Sequence, residues 1–351
     1  DTGTLLWNLP VDDPLLILPR FENFDGTPVL LLPTPKQSGD QRTTTAVSLT
    51  AQKVLGSSDR YPRRLDLDGD GVPEQLTVTA AGTTCFTGTN QLWQTQYFAV
   101  AASTADMNGD GVLDLIFNNG PNELLIVSGK DGTLLGDIRL DAATGRGLAL
   151  EDVDRDGMPD IILGVGDQIQ CLSLNGGRKQ WLARGSNFYD APLASLDGLF
   201  IAKNNAGEIA AYAPRLRAPI WRVKTSPQPD AYPAVAVAPG ILVDADAVGR
   251  LVRALDTTGK LLWQMRFPTK SDIIGAPAIR QDLVLVSDGV AGLYAFNLTN
   301  GTARWSIAIS NVTTAAAIGP ERFYVTSATP SNFVLSCRSL ANGAAQWQVG
   351  L

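Results

Sequence analysis

Three short acidic stretches carry the residues best suited to chemistry in this sequence. They begin at Asp66, Asp106 and Asp152, and each fits the pattern D-x-[DN]-x-D-G-x-x-[DE]. The pattern places carboxylate or amide oxygens at loop positions 1, 3, 5 and 9, and a turn at the glycine lets the carbonyl of position 7 point inward. Such an all-oxygen cage suits a hard cation, and its size and charge favour Ca2+ over Mg2+. We therefore expect about three calcium ions.

The expected ligands occupy positions 1, 3, 5, 7 and 9 of each loop, and position 7 contributes its backbone carbonyl. They are Asp66, Asp68, Asp70, Val72 and Glu74 in loop 1, Asp106, Asn108, Asp110, Val112 and Asp114 in loop 2, and Asp152, Asp154, Asp156, Met158 and Asp160 in loop 3. Position 12 is Thr77, Phe117 or Leu163 rather than the glutamate of an EF-hand, and a β-like apolar run follows position 9. The alternative that stays open is a set of acidic, glycine-rich turns without metal.

Composition excludes several other kinds of site. The 351-residue chain has no histidine, which excludes Ser-His-Asp and Cys-His catalysis and histidine-ligated zinc, copper or haem. Its net charge is -7 and it has no cluster of Lys and Arg, so we expect no nucleic-acid partner. No apolar run approaches the length of a membrane span, so we expect no transmembrane segment in this chain.

The three cysteines, Cys85, Cys171 and Cys337, lie far apart, and each stands inside an apolar, strand-like run. We interpret them as buried thiols rather than as nucleophiles or a disulfide framework.

The elements that position the acidic loops follow a repeat marked by tryptophan. Tryptophans stand at positions 7, 93, 181, 221, 263, 305 and 347, and the last four intervals are 40, 42, 42 and 42 residues. The two earlier intervals are about twice as long, and Gly136 stands where a tryptophan is missing between residues 93 and 181. Each tryptophan thus marks the same position of a repeat of roughly 43 residues, a period typical of propellers, arrays and solenoids.

The repeat unit contains four short strands. In residues 249–263 and 292–305 a strand, a glycine-containing hairpin turn and a tryptophan-bearing strand follow one another, and a small-residue strand and an apolar strand precede them. Four strands per repeat describe a propeller blade, and each acidic loop joins the first strand of its blade to the second. Eight candidate second strands occur along the chain. The sequence therefore predicts an all-β fold, a single eight-bladed β-propeller of four-stranded antiparallel blades.

This prediction treats residues 1–351 as one domain. The approximate blades are residues 11–60, 61–97, 98–140, 141–187, 188–226, 227–269, 270–311 and 312–351. Residues 1–10 form an extra outer strand, which either latches the ring through the last blade or is the tail of an upstream repeat.

Two family resemblances follow from these motifs. Through Ala254, Asp256, Thr258, Gly259 and Trp263, blades 5 to 8 resemble PQQ-like repeats of the quinoprotein and outer-membrane-assembly type. Through the acidic loops, blades 2 to 4 resemble the FG-GAP/VCBS calcium-loop repeats of integrin α heads and secreted bacterial proteins. The resemblance implies that the tryptophans stack between blades and that calcium stabilises single blades. We expect no bound PQQ, since quinoproteins of this type use adjacent cysteines, which this chain lacks.

These resemblances imply a non-catalytic, calcium-stabilised module that binds proteins or acts as a scaffold. We expect it to be extracytoplasmic (periplasmic, cell-surface or secreted) and to bind a protein partner or a larger envelope assembly. A carbohydrate-binding propeller is the first alternative, so a glycan ligand stays open. An enzyme of the quinoprotein or polysaccharide-lyase type is the second, although no compact cluster of Lys, Arg or Tyr stands out as its base. No catalytic residue is predicted.

Overall fold

The structure is a computed structural model of the chain. It describes residues 5–11, 20–24, 27–35, 42–48, 63–79, 81–97, 103–142, 144–153, 155–166, 168–174, 179–184, 193–204, 207–213, 218–225, 234–246, 250–267, 276–288, 292–313, 316–328 and 333–350. Every regular element in these ranges is a β-strand. None of them contains a helix long and apolar enough to cross a membrane.

Within these ranges the strands form eight antiparallel four-stranded sheets, which we number in chain order. The chain divides into two compact units, Asp1–Arg60 with Ser226–Leu351, and Tyr61–Thr225. The first unit holds sheets 1, 6, 7 and 8, and the second holds sheets 2 to 5. The all-β class and the four-stranded antiparallel sheets agree with the sequence prediction, whereas closure into one eight-bladed ring stays a prediction.

Sheet 1 takes its outer strand from the N-terminal segment. Its strands are β1 (Leu5–Val11), β2 (Arg20–Phe24), β3 (Thr27–Pro35) and β4 (Arg42–Ser48), in the order β1-β4-β3-β2. The sequence left two places for residues 1–10, the last blade or an upstream repeat. The structure instead pairs β1 with β4, in a register that sets Trp7 opposite Ala46.

Sheets 2 to 5 each pair four consecutive strands. They are β5 (Arg63–Leu65), β6 (Glu74–Thr79), β7 (Gly82–Thr87) and β8 (Asn90–Thr95); β9 (Ser103–Ala105), β10 (Asp114–Asn118), β11 (Glu123–Val127) and β12 (Leu134–Arg139); β13 (Thr144–Glu151), β14 (Asp160–Val165), β15 (Gln168–Leu172) and β16 (Lys179–Arg184); and β17 (Leu193–Leu196), β18 (Leu199–Lys203), β19 (Glu208–Tyr212) and β20 (Trp221–Lys224).

Sheets 6 to 8 repeat the same consecutive order. They are β21 (Ala234–Ala238), β22 (Ile241–Asp246), β23 (Leu251–Asp256) and β24 (Leu261–Arg266); β25 (Ala278–Arg280), β26 (Leu283–Asp288), β27 (Gly292–Asn297) and β28 (Ala303–Ile307); and β29 (Ala317–Ile318), β30 (Arg322–Ala328), β31 (Phe333–Ser339) and β32 (Ala345–Gly350).

Neighbouring sheets of a unit pack face to face through apolar side chains. Successive side chains of a strand point to opposite faces, so a strand covered on both faces needs a nearly continuous apolar run. In β10, for example, Leu115 and Phe117 pack towards sheet 2, while Ile116 packs towards sheet 4. Similar clusters join sheets 4 and 5, 6 and 7, and 7 and 8.

Every tryptophan lies opposite a small residue of the strand that pairs with its own. The Cα partners are Trp7 and Ala46, Trp93 and Cys85, Trp181 and Cys171, Trp221 and Ala211, Trp263 and Ala254, Trp305 and Ala295, and Trp347 and Cys337. In sheet 3, where Gly136 replaces the tryptophan, the partner is the larger Ile126. The cysteines thus occupy the alanine position of the repeat, which identifies them as small packing residues.

Three indole rings also bind the backbone of the next sheet. The Nε1 atom of Trp93 donates to the carbonyl of Gly129 at 2.7 Å, that of Trp263 to Leu298 at 2.7 Å, and that of Trp305 to Leu340 at 3.0 Å. We call this arrangement of ring, carbonyl and neighbouring glycine the tryptophan dock. It fixes the spacing between sheets 2 and 3, 6 and 7, and 7 and 8.

A glycine in the next hairpin makes room for each docked ring. A Cβ atom added to Gly301 would lie 2.6 Å from the ring of Trp263, and Gly301 also has a φ of +68°, which other residues adopt at a cost. A Cβ atom added to Gly132 would lie 2.7 Å from the ring of Trp93, and one added to Gly343 would lie 2.9 Å from the ring of Trp305. Glycine is therefore required at this position for space as well as for conformation.

Two glycine substitutions separate these effects. Gly240 has a φ of +74°, but an added Cβ atom would meet nothing within 4 Å. Both Gly301→Ala and Gly240→Ala introduce backbone strain of about 1–2 kcal/mol, whereas only Gly301→Ala also collides with an indole ring, for about 1–3 kcal/mol more. Urea unfolding should therefore show a clearly larger loss of stability for Gly301→Ala. Equal losses would contradict the tryptophan dock.

The cysteines should be inert in the folded protein. All three side chains are fully buried. Burial, with a smaller contribution from the Glu74 charge, raises the pKa of Cys85 to about 12, and burial also raises the pKa of Cys337. Since the thiolate is the reactive form, a thiol-specific reagent at pH 8 should label none of the three before unfolding and all three in concentrated urea. Rapid labelling of the native protein would show that the packing is wrong.

Candidate metal centre

Each acidic loop joins the first strand of its sheet to the second, as predicted from the sequence. Asp66 follows β5, Asp106 follows β9 and Asp152 follows β13, while position 9 of each loop opens the next strand. The three loops thus lie at the same end of sheets 2, 3 and 4. The rigid β-strands on both sides hold the first and last carboxylates of each loop in place.

The carboxylate of position 9 closes each loop over the core. Glu74, Asp114 and Asp160 are buried, at 4%, 0% and 2% exposure. Each accepts the backbone N–H of position 2, which is Leu67 at 2.8 Å, Met107 at 2.9 Å and Val153 at 2.9 Å. The side chains of position 2 are themselves buried in the core. Position 9 therefore anchors the loop whether or not a cation is bound.

The carboxylate of position 1 holds the turn of the loop. In loop 2, Asp106 accepts N–H groups from Gly109 at 2.7 Å, Asp110 at 3.1 Å and Gly111 at 2.9 Å. Loops 1 and 3 repeat the bond from position 6, at 3.1 Å in both. Positions 4 and 6 have a positive φ in all three loops, and position 4 of loop 3 is Arg155 with a φ of 64°. The described residues of the three loops therefore share the same turn at positions 4 to 6.

Loop 1 fits a calcium ion by distance and by unmet bonding capacity. Ligand atoms of Asp66, Asp68 and Glu74 lie within 4.8 Å of one another. Two oxygens bound to one Ca2+ at 2.3–2.6 Å are separated by at most about 5 Å, so one ion can bind all three. The Oδ1 atom of Asp66 is buried and has no hydrogen-bond partner in the described part of the chain. A buried oxygen without a partner is unfavourable, and a cation would satisfy it.

The charges of loops 1 and 2 also favour a cation. The pKa of Asp114 is raised to about 6, and burial is the main cause. Hydrogen bonds from the N–H groups of Met107 and Gly129 lower this pKa, and the nearby charges of Asp110 and Asp106 raise it. The pKa of Glu74 is likewise raised, chiefly by burial. A bound calcium ion supplies the positive charge that these crowded carboxylates lack.

The structure gives hydrogen bonds for some of the remaining predicted ligands. Asp70 and Asp110 accept the backbone N–H of Val72 at 2.6 Å and of Val112 at 2.9 Å, and Asp110 also lies 3.8 Å from Lys130 Nζ. Asn108 accepts the N–H of Asp110. In loop 3, Asp156 accepts the N–H of Met158 at 2.8 Å and donates its own to Asp152 at 3.1 Å. Asp154 lies outside the described residues, and the carbonyls of Val72, Val112 and Met158 stay predicted ligands.

The three loops contact one another along the row. The N–H of Leu113 in loop 2 donates to the carbonyl of Leu67 in loop 1 at 2.7 Å. A Cβ atom on Gly109 of loop 2 would lie 2.4 Å from the Cε atom of Met158 in loop 3. A change in the conformation of one loop therefore changes the contacts of the next loop.

Gly129 joins loop 2 to the tryptophan dock, a role that the sequence motifs did not predict. Its carbonyl accepts the Trp93 indole N–H, and its own N–H donates to Asp114 Oδ1 at 3.1 Å. In sheets 7 and 8 the equivalent residues, Leu298 and Leu340, donate their N–H groups to backbone carbonyls at 2.8 and 3.0 Å. The sequence signal that could have identified Gly129 is the spacing of 35 or 36 residues between each docked tryptophan and the residue whose carbonyl accepts its indole N–H.

Removing one carboxylate from loop 1 should weaken the response to calcium. In the wild type, with a dissociation constant of ~0.1 mM, ~2 mM calcium should raise the free energy of unfolding by about 1.8 kcal/mol for each site. In Asp66→Asn this rise should be smaller by about the contribution of one site, because Asp66 holds the oxygen without a partner. Asp137→Asn removes the same charge from the exposed outer strand β12 and serves as the control. Equal calcium responses of the two variants would contradict a site in loop 1.

Comparisons with known proteins agree with this architecture. A family model described as outer membrane protein assembly factor BamB matches residues 205–351, which is less than half of the chain. The crystal structure of BamB from Moraxella catarrhalis is similar, with a TM-score of 0.58 and 17% identity over 82% of this chain and 87% of that one. So is the computationally designed Ika8 protein, with a TM-score of 0.59 and 13% identity over 79% and 83%. No curated protein sequence matches.

At these identities the structural likeness bears on the fold alone. Together with the sheets described above, it shows a β-propeller fold, and the family match places PQQ-like repeats in residues 205–351.

Proposed function

We propose that this protein is a non-catalytic β-propeller that binds a protein partner or acts as a scaffold in an envelope assembly, outside the cytoplasm. The match of residues 205–351 to the family model named for an outer membrane protein assembly factor carries this proposal. The fold similarity to BamB supports it. We further propose that the sheets are the blades of one eight-bladed ring, in which sheets 2 to 4 are FG-GAP-type calcium blades.

Calcium stabilisation is part of the proposal. Three sites with a dissociation constant of ~0.1 mM at ~2 mM calcium would add roughly 5 kcal/mol, which is comparable to the net stability of a whole domain. Cytosolic calcium would leave such weak sites empty, whereas extracellular concentrations fill them. The periplasm, the cell surface and the extracellular medium are therefore the compartments in which the loops can serve this purpose.

One buried ionic cluster, together with the buried cysteines, supports a function without catalysis. Arg253 bonds Asp244 and Asp246 at 2.9 Å each, and all three side chains are buried within sheet 6. A buried arginine between two carboxylates is typical of structural pairing. The cysteines are fully buried, and the chain has no histidine for acid-base chemistry.

The test is capture of a partner from envelope extract of the source cells by the immobilised protein, in millimolar calcium and in EGTA. The proposal expects a protein retained with calcium and lost in EGTA, because loop order should depend on the ion. Asp137→Asn should behave as the wild type, and Asp66→Asn should retain less. Retention of glycan, or of nothing at all, would contradict the proposal and favour carbohydrate binding or catalysis.

A further inference from the structure

A groove opens between sheets 7 and 8, outside the acidic loops. Its volume is about 420 Å³, and its lining includes Arg280, Asp282 and Arg304 of sheet 7 and Glu321 of sheet 8. It lies where the first strand of each sheet turns into the second. A cavity of this size lies within the range of ligand-binding clefts.

Arg280 is the unusual residue of this groove. It ends β25, and its side chain is half-buried. Its Nε atom is buried without a hydrogen-bond partner, and no ion pair of Arg280 occurs in the described ranges. A guanidinium group is positively charged and carries five N–H donors. A half-buried guanidinium group without an acceptor is unfavourable, and Arg280 lines the groove, so the position fits a ligand that supplies an acceptor to this group.

The neighbouring carboxylate of Asp282 is already engaged. Arg304 bonds Asp282 and Asn297. Asp282 therefore forms its ion pair with Arg304 rather than with Arg280. Arg280 is left as the cation of the groove that can pair with a group from outside.

The geometry points to an acidic residue of an extended segment of a partner protein as the occupant. Carboxylates match the planar fork of a guanidinium group and form short, charge-assisted hydrogen bonds with it. The exposed carboxylate of Glu321 would repel a free anion, but it can accept hydrogen bonds from the backbone N–H groups that a polypeptide brings. This inference rests on the proposed protein-binding function and assigns one contact of the partner.

Synthetic peptides test the groove without knowledge of the partner. The probes are acetylated, amidated pentapeptides of alanine with a central glutamate or glutamine, and glutarate as a free dicarboxylate. Binding is followed through the Nε–H signal of Arg280 in 15N-correlated NMR spectra and by titration calorimetry. Arg280→Gln should weaken binding of the glutamate peptide about tenfold, while the exposed Arg266→Gln leaves it unchanged.

The outcomes separate clearly. Stronger binding of the glutamate peptide than of the glutamine peptide, lost in Arg280→Gln, supports the inference. Equal binding of both peptides, or glutarate bound as tightly as the glutamate peptide, overturns it. If Arg280→Gln fails to fold by circular dichroism, Arg280→Lys decides, because it keeps the charge but loses the planar fork and should weaken binding of the glutamate peptide, whereas unchanged binding would overturn the inference. Peptide binding without any captured envelope protein would contradict the proposed function but not the groove.

Discussion

The tryptophan dock is the interaction on which the rest of this structure depends. An indole ring packs against a glycine of the next sheet and donates its N–H to a backbone carbonyl there, as Trp263 does with Gly301 and Leu298. Each dock joins apolar burial to a directional hydrogen bond, so it sets both the distance between two sheets and their register. The small residues opposite Trp93, Trp263 and Trp305 leave room for the docked rings. These short strands thereby gain a defined packing between sheets 2 and 3, 6 and 7, and 7 and 8.

The residue that accepts the indole N–H needs an acceptor for its own N–H, and two kinds of repeat supply different acceptors. Where the first turn of a sheet is short, the residue that accepts the indole N–H donates its own N–H to a backbone carbonyl, as Leu298 does to Asp282. In sheet 3 the first turn is the acidic loop, and the carboxylate of Asp114 accepts the bond from Gly129. A cation bound in this loop would therefore act on the packing between sheets 2 and 3 as well as on the loop. This connection gives the proposed calcium stabilisation a physical route.

Much of this architecture could be predicted because it rests on local, periodic signals. Four strands per repeat, the acidic loops between first and second strands, and the burial of Cys85, Cys171 and Cys337 all follow from spacing and apolar runs. The pairing of β1 with sheet 1 did not follow, because strand partnership depends on edges that no local pattern marks. Gly129 and Arg280 were missed for a related reason. Their roles arise from contacts across sheets and from the lack of a partner, which a single sequence does not encode.

We propose that calcium bound in the acidic loops holds the propeller in the form that binds its partner. The most direct test of this proposal is the metal content of the purified protein after equilibrium dialysis against ~2 mM calcium chloride, measured by elemental analysis with EGTA-dialysed protein as reference. We expect about three calcium ions per chain after dialysis and none in the reference. A calcium content equal to the reference would contradict the proposal and would leave the loops as acidic turns that shape the backbone alone.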